Sequence, residues 1–294
     1  MYNVFSGELM RRLISIILIL CTSLWCTACF KTSTIVYTYG VFLGAGPEDI
    51  EDMLPYETIV IDAQYFSPED ISSLKEQGHR VFSYINLGSV EEFRPYYSSF
   101  SDLFLGVYEN WEDERWVDVS SPRWQEFMVS LADSLLDKGV DGLFVDNTDV
   151  YYNYPTEEIY QGVTDILLAF RSTGTYVSIN GGDFYVTEYY SREGEITSIM
   201  NGENQETVFS AINWEDDEFT SNSPEEFEFF SSYVEFCKEN GIDVYLLEYT
   251  TDEELMGQID SYCSEKGFYY YCSPSLDLKE SASSSGSQST RRPL

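Results

Sequence analysis

Two acidic residues stand where an enzyme built on parallel strands would keep its chemistry. The apolar run GLFV, residues 142 to 145, stops at Asp146 and is followed by Asn147 and Asp149; further on, NGEN carries Glu203. Neither Asp146 nor Glu203 reads as a helix cap or as part of a solvated helix face. A pair of carboxyl groups converging on one substrate atom suffices for glycoside cleavage: one protonates the leaving oxygen and the other attacks the anomeric carbon or activates water. Asp146 and Glu203 are the pair this reasoning selects, with Glu248, in the run VYLLEY, as a rival. The single histidine, His79, lies in a Gly-His-Arg turn entering a strand, at the amino end of the sheet and away from the face where barrel enzymes work. A His-dependent triad, a His-ligated zinc site and a His general base are therefore not expected. No metal site and no cofactor are expected either, since no Gly-x-Gly-x-x-Gly follows the first strand and, with the cysteines of the N-terminal segment set aside, no Cys-x-x-Cys pair exists among Cys237, Cys263 and Cys272.

The elements that must position these groups alternate along the chain. Candidate strands lie near 35–41, 58–62, 80–86, 142–146, 176–180, 196–200, 244–248 and 268–272. Between them come helical segments at 67–78, 121–139, 156–174, 223–241 and 251–267. Most open on a Ser or Thr cap with Pro or acids in the first turn, and all five close on Gly. Strand, loop and capped helix in alternation predict right-handed βα units. Eight strands in about 250 residues fit an α/β fold, a (β/α)8 TIM barrel as a single domain over residues 30–280. An open doubly wound sheet is the competing architecture, without its glycine fingerprint.

Polar groups and rings at the other strand ends supply candidates for substrate binding: Asp62, Tyr84, Asn86, Asp118, Asn147, Asn180 and Glu248. Aromatic residues make up 16% of the chain, with 24 tyrosines, and many fall beside strand ends. A sugar ring has an apolar face and a hydroxyl rim, so a cleft of rings and carboxylates suits carbohydrate. Core packing is the competing duty for each ring, and it is favoured for Tyr269, Tyr270 and Tyr271 within a strand.

Fifty-one acids against sixteen Lys and Arg give a formal net charge of −35. Nucleic acid is thus not an expected partner, because phosphate binding needs a basic surface. Solubility accounts for much of the charge, and a cationic polysaccharide is compatible with the rest. Residues 1–29 run from Arg11-Arg12 through LISIILILCTSLW to small residues before Cys29, the order of a secretory signal. Cys29 is the expected lipidation site of a membrane-anchored lipoprotein, with cleaved secretion or an uncleaved anchor as alternatives; each places the barrel outside the cytoplasm. Residues 281–294 are a Ser/Gly-rich tail expected to be disordered. Cys237, Cys263 and Cys272 remain, and spacing leaves open either a Cys263–Cys272 disulfide or three buried thiols. Nothing in the helix faces calls for a partner subunit, so a monomer is expected.

The stretch WVDVSSPRWQEFMVSLADSLLDKGVDGLFVDNTDVY, followed by SINGG and NGEN, resembles the endo-α-1,4-polygalactosaminidases, glycoside hydrolase family 114, across residues 37 to 274. The family pattern falls on Trp116 to Asp118, Gly142 to Asn147, Asn180-Gly181 and Asn201 to Glu203. The resemblance implies a barrel glycosidase acting on an α-linked galactosamine polymer, with the catalytic pair at Asp146 and Glu203. Asp146 would be the nucleophile and Glu203 the acid/base. A tyrosine-rich loop after Asp146 and the insertion NWEDDEF depart from the family pattern. Two further readings stay open: a non-catalytic surface lipoprotein that binds polysaccharide, and an enzyme using Asp146, Asn147 and Asp149 to hold Mg²⁺ or Ca²⁺.

Overall fold

The computed structural model describes residues 35–214 and 218–280. Eight parallel strands form one sheet: β1 (Tyr37–Phe42), β2 (Tyr56–Ile61), β3 (Arg80–Asn86), β4 (Gly142–Asp146), β5 (Tyr176–Asn180), β6 (Gly202–Glu206), β7 (Asp243–Tyr249) and β8 (Tyr269–Ser273). Each pairs in parallel with the next in sequence, and β8 returns to lie against β1, giving the nearly closed (β/α)8 barrel. The outer layer is α1 (Pro68–Glu76), α2 (Pro122–Asp137), α3 (Glu157–Ser172), α4 (Asp183–Glu193), α5 (Pro224–Glu239) and α6 (Glu253–Lys266). A short turn of helix, Ile50–Met53, stands where the first full helix would be.

The helix ends follow from the chain. Ser67 and Ser223 close capping boxes with Asp70 and Glu226, and each is followed by Pro at the first helical position. Gly78, Gly139, Gly174, Gly241 and Gly267 all take positive φ just past a helix, a conformation that costs a Cβ-bearing residue more. α4, over DFYVTEYYSRE, was not among the expected helices. It follows directly on a turn of two glycines, and its N-cap Gly182 has φ 73.

One strand differs from expectation, and the difference matters for the site. The segment 196–200 is a buried turn, with Ile196, Ile199 and Met200 fully enclosed. The sixth barrel strand is instead GENQE. Apolar content marked the wrong segment because this strand turns polar side chains into the barrel: Asn204 receives a hydrogen bond from Tyr39 of β1 and gives one to Asn180 of β5.

The long connection from β3 to α2 carries an antiparallel sheet of Ser89–Glu91, Trp111–Val117 and Phe104–Tyr108. After β6, a hairpin pairs Ser210–Asn213 with Glu218–Ser221. Both rise at the carboxyl ends of the strands. His79 is buried at the opposite end, its Nδ1 2.6 Å from the Tyr56 carbonyl. Cys237, Cys263 and Cys272 are buried free thiols. No helix of the described residues is long and apolar enough to cross a membrane. The expected signal, Cys29 and the Ser/Gly tail lie outside the described residues.

Candidate active site

A cleft of about 870 Å³ opens at the carboxyl ends of the strands. Asp146, the last residue of β4, lies half-buried on its floor, and the last residue of β6, Glu206, faces it. Asn180, the last residue of β5, joins the two: its Nδ2 donates to Asp146 Oδ1 at 2.9 Å and to Glu206 Oε1 at 2.8 Å. Sharing one nitrogen at 2.9 and 2.8 Å keeps the two acceptor oxygens within 5.7 Å of each other, the sum of the two bonds. The backbone N–H of Asn147 also donates to Asp146 Oδ1, at 3.0 Å, leaving Oδ2 toward the cleft. Glu206 Oε2 accepts from the Tyr249 hydroxyl at 2.7 Å. Burial, and then the nearby charge of Glu206, push the Asp146 carboxyl up to about 8.

Glu203 is not in this cleft. Successive residues of a strand face opposite ways; with Asn204 and Glu206 turned inward, Glu203 faces the helical layer beside Tyr233 of α5. It is 0% exposed, neither oxygen has a hydrogen-bond partner, and burial raises its pKa well above the ordinary value. The expected pairing of Asp146 with Glu203 is therefore not what the structure brings together. Misplacing the sixth strand concealed this: once the strand is set at 202–206, the residue at its end, equivalent to Asp146 and Asn180 on theirs, is Glu206.

The other expected residues divide. Asp62 lines the cleft and is ion-paired to buried Arg94 at 2.6 Å, and Arg94 also grips Glu91 at 2.9 Å. Tyr84 lines the cleft, with its hydroxyl 3.4 Å from Glu91. Asn147 adopts φ 64, a left-handed conformation that Asn tolerates better than most residues. Its Nδ2 turns away from Asp146 toward Asn86 Oδ1, Ser89 Oγ and Glu114 Oε1, at 3.1, 2.8 and 3.1 Å. Asp146 and Asn147 both line the cleft, with the Asn147 Nδ2 committed to that network. Gly88 lets this loop pass, since a Cβ there would sit 1.9 Å from the Asn147 carbonyl oxygen. Asn86 belongs to the same buried network and supports the floor from beneath. Asp118 instead accepts from Ser120, holding the turn before α2. Glu248 is enclosed, accepting from the backbone N–H groups of Val208, Phe209 and Ser210 and from the Ser210 hydroxyl. It anchors the loop that follows Glu206.

Aromatic rings form the walls of the cleft. Tyr84, Trp214 and Tyr249 line the cleft, joined by Tyr65, Phe93, Tyr108 and Trp111. Tyr151, after Asp146, packs instead against Tyr160, Phe184 and Tyr185. Trp111 and Trp214, 42% and 45% exposed, come from the two excursions after β3 and β6 and meet edge to face at 6.1 Å. Nine acids and one arginine line the cleft among the described residues, and that arginine is already paired with two of the acids.

A sequence model described as "Glycoside-hydrolase family GH114" matches residues 28–168, a span that includes Asp146 and ends before β6. The fold is similar to the glycoside hydrolase domain of PelA from Pseudomonas aeruginosa: TM-score 0.69, 15% identity, covering 83% of this chain and 96% of that one. It is similar also to Ega3 of Aspergillus fumigatus, solved in complex with galactosamine: TM-score 0.63, 17% identity, covering 86% and 97%. An uncharacterised protein of Thermotoga maritima is 25% identical over 172 residues, covering 51% of this chain and 52% of its own length. Another from Methanocaldococcus jannaschii is 21% identical over 234 residues, covering 71% and 65%. The chain thus spans about half to two thirds of the length of these curated relatives. Through residues 28–168 the chain is similar to glycoside hydrolase family 114, and it shares the barrel fold of those solved structures.

Proposed function

We propose that the chain cleaves an α-linked amino-sugar polysaccharide of the galactosamine type by double displacement, with Asp146 as nucleophile and Glu206 as acid/base. The observation that carries this reading is the Asn180 amide, which holds one oxygen of each carboxylate. The resulting spacing, no more than 5.7 Å, suits a retaining pair, whose carboxyl groups stand about 5–5.5 Å apart, and falls short of the roughly 6.5–9.5 Å of inverting pairs. Asp146 Oδ2 is free to attack while Oδ1 is held by two donors. Glu206 gives its proton to the glycosidic oxygen as the C1–O bond breaks and the C1–Oδ2 bond forms. Water then gives a proton back to Glu206 and attacks C1, releasing Asp146. Burial favours the protonated form of Asp146. An ammonium group on the entering sugar draws Asp146 toward the ionised form that attacks.

Nine acids around a neutralised arginine favour a cationic chain over a neutral or acidic one. The Ega3 complex with galactosamine supports the same sugar class. The paired indoles of Trp111 and Trp214 offer flat faces to successive sugar rings. The enzyme acts as a monomer outside the cytoplasm, either lipid-anchored at Cys29 or secreted.

The test is release of oligosaccharides from an α-1,4-galactosamine polymer, partly deacetylated and fully acetylated, with the first-formed anomer read by NMR. Faster cleavage of the deacetylated polymer with α-anomer formed first supports the proposal. Faster cleavage of the acetylated polymer would overturn the cationic substrate, β-anomer first would overturn double displacement, and binding without products would reassign the barrel to polysaccharide binding.

A further inference from the structure

Beneath the two carboxylates a chain of hydrogen bonds runs into the barrel core. The Tyr39 hydroxyl donates to Asn204 Oδ1 at 2.8 Å, Asn204 Nδ2 donates to Asn180 Oδ1 at 2.6 Å, and Asn180 Nδ2 reaches both carboxylates. Tyr39 is 1% exposed and Asn204 is fully buried, so water does not compete for these bonds. Chemistry fixes every direction. Asp146 Oδ1 already accepts from the Asn147 N–H and the Glu206 carboxyl from the Tyr249 hydroxyl, so Asn180 turns its NH₂ toward these acceptors and its oxygen toward Asn204. Asn204 must then turn its NH₂ to Asn180 and its oxygen to Tyr39, and Tyr39 must donate. Flipping either amide would set oxygen against oxygen. Burial, with the charges of Tyr245 and Glu206, keeps the Tyr39 hydroxyl protonated across the working range.

We infer that Tyr39 and Asn204 are positioning residues for the catalytic pair: together they lock the Asn180 amide in the one orientation that holds Asp146 and Glu206 at working separation. The inference rests on the reading of Asp146 and Glu206 as the working carboxylates. Without the Tyr39 hydroxyl, Asn204 has an unmet oxygen and is free to rotate, Asn180 loses its fixed partner, and its bond to Asp146, which favours the ionised form, weakens.

The experiment is a ¹³C NMR titration of the carboxyl pair in the full protein, wild type against Tyr39→Phe, with kcat and KM measured in parallel. Tyr39→Phe is expected to raise the Asp146 titration by about half a pH unit or more, the loss of one amide hydrogen bond. It is expected to lower kcat about tenfold, with KM within about twofold, because misorientation is felt in the transition state. Asn204→Asp supplies a second readout. Its new carboxyl repels the Asn180 oxygen when ionised and donates to it when protonated, so its kcat relative to wild type should climb as pH falls. A folded Tyr39→Phe with an unshifted titration, or an Asn204→Asp ratio flat with pH, overturns the inference. The titration needs no substrate, so it separates this inference from the proposed reaction: cleavage that survives Asp146→Asn sinks the catalytic reading while leaving the titration to judge the relay.

Discussion

Replacing Asp146 with Asn should abolish cleavage and at the same time stabilise the protein. The folded state holds this carboxyl at about 8 against an ordinary value of 3.8. A folded pKa above the unfolded one means that the native state resists ionisation. The penalty is absent below the ordinary value, grows as pH rises through it, and levels off near the raised value. Each pH unit in that window is about 1.4 kcal/mol, so the ceiling is about 2 kcal/mol at pH 5 and about 4 kcal/mol at pH 7. An asparagine keeps the shape: its oxygen can accept from Asn180 Nδ2 and the Asn147 N–H as Asp146 Oδ1 does, and its NH₂ takes the open position toward the cleft. Chemical denaturation of wild type and variant at pH 5, 6, 7 and 8 gives the difference directly. Its growth with pH is the signature, and an absolute value of half the ceiling would still carry it. A variant no more stable than wild type, or a difference that stays flat from pH 5 to 8, would refute the raised pKa of Asp146.

Two further outcomes follow from the walls and the buried acids. Trp111→Ala and Trp214→Ala should each raise KM for polymer about tenfold with kcat little changed, the loss of one stacking surface; steady-state kinetics on long and short oligomers checks this, with the short ones less affected. Glu248→Gln should lower stability by about 2–3 kcal/mol by turning an NH₂ toward two of the backbone donors. At a temperature where the variant is folded, turnover should stay within about threefold of wild type. A complete loss of turnover there would restore Glu248 as a catalytic rival.

The alternation of strands and helices was legible in the chain because caps, prolines and terminal glycines carry local signals that the structure reproduces at five helices. Asp146 was legible for a similar reason: an apolar strand that ends on an acid announces its own boundary. The sixth strand was not, because a barrel interior that holds a polar relay requires Asn204 and Glu206 where apolar residues would otherwise face inward. The burial of Ile196, Ile199 and Met200 in the preceding turn then supplied a false strand. A shift of a few residues turned attention from Glu206 to Glu203, whose carboxyl faces the helices. Glu91, Arg94 and Trp111 were illegible for another reason. They sit on excursions from the barrel, and only the fold returns these to its mouth.

The most direct measurement sets Glu206→Gln beside Glu203→Gln in the same cleavage assay on deacetylated galactosamine polymer. The expected result is a loss of at least about a thousandfold in kcat for Glu206→Gln, with Glu203→Gln within about threefold of wild type. The reverse ranking, an inactive Glu203→Gln that is folded and an active Glu206→Gln, would contradict the Asp146–Glu206 site.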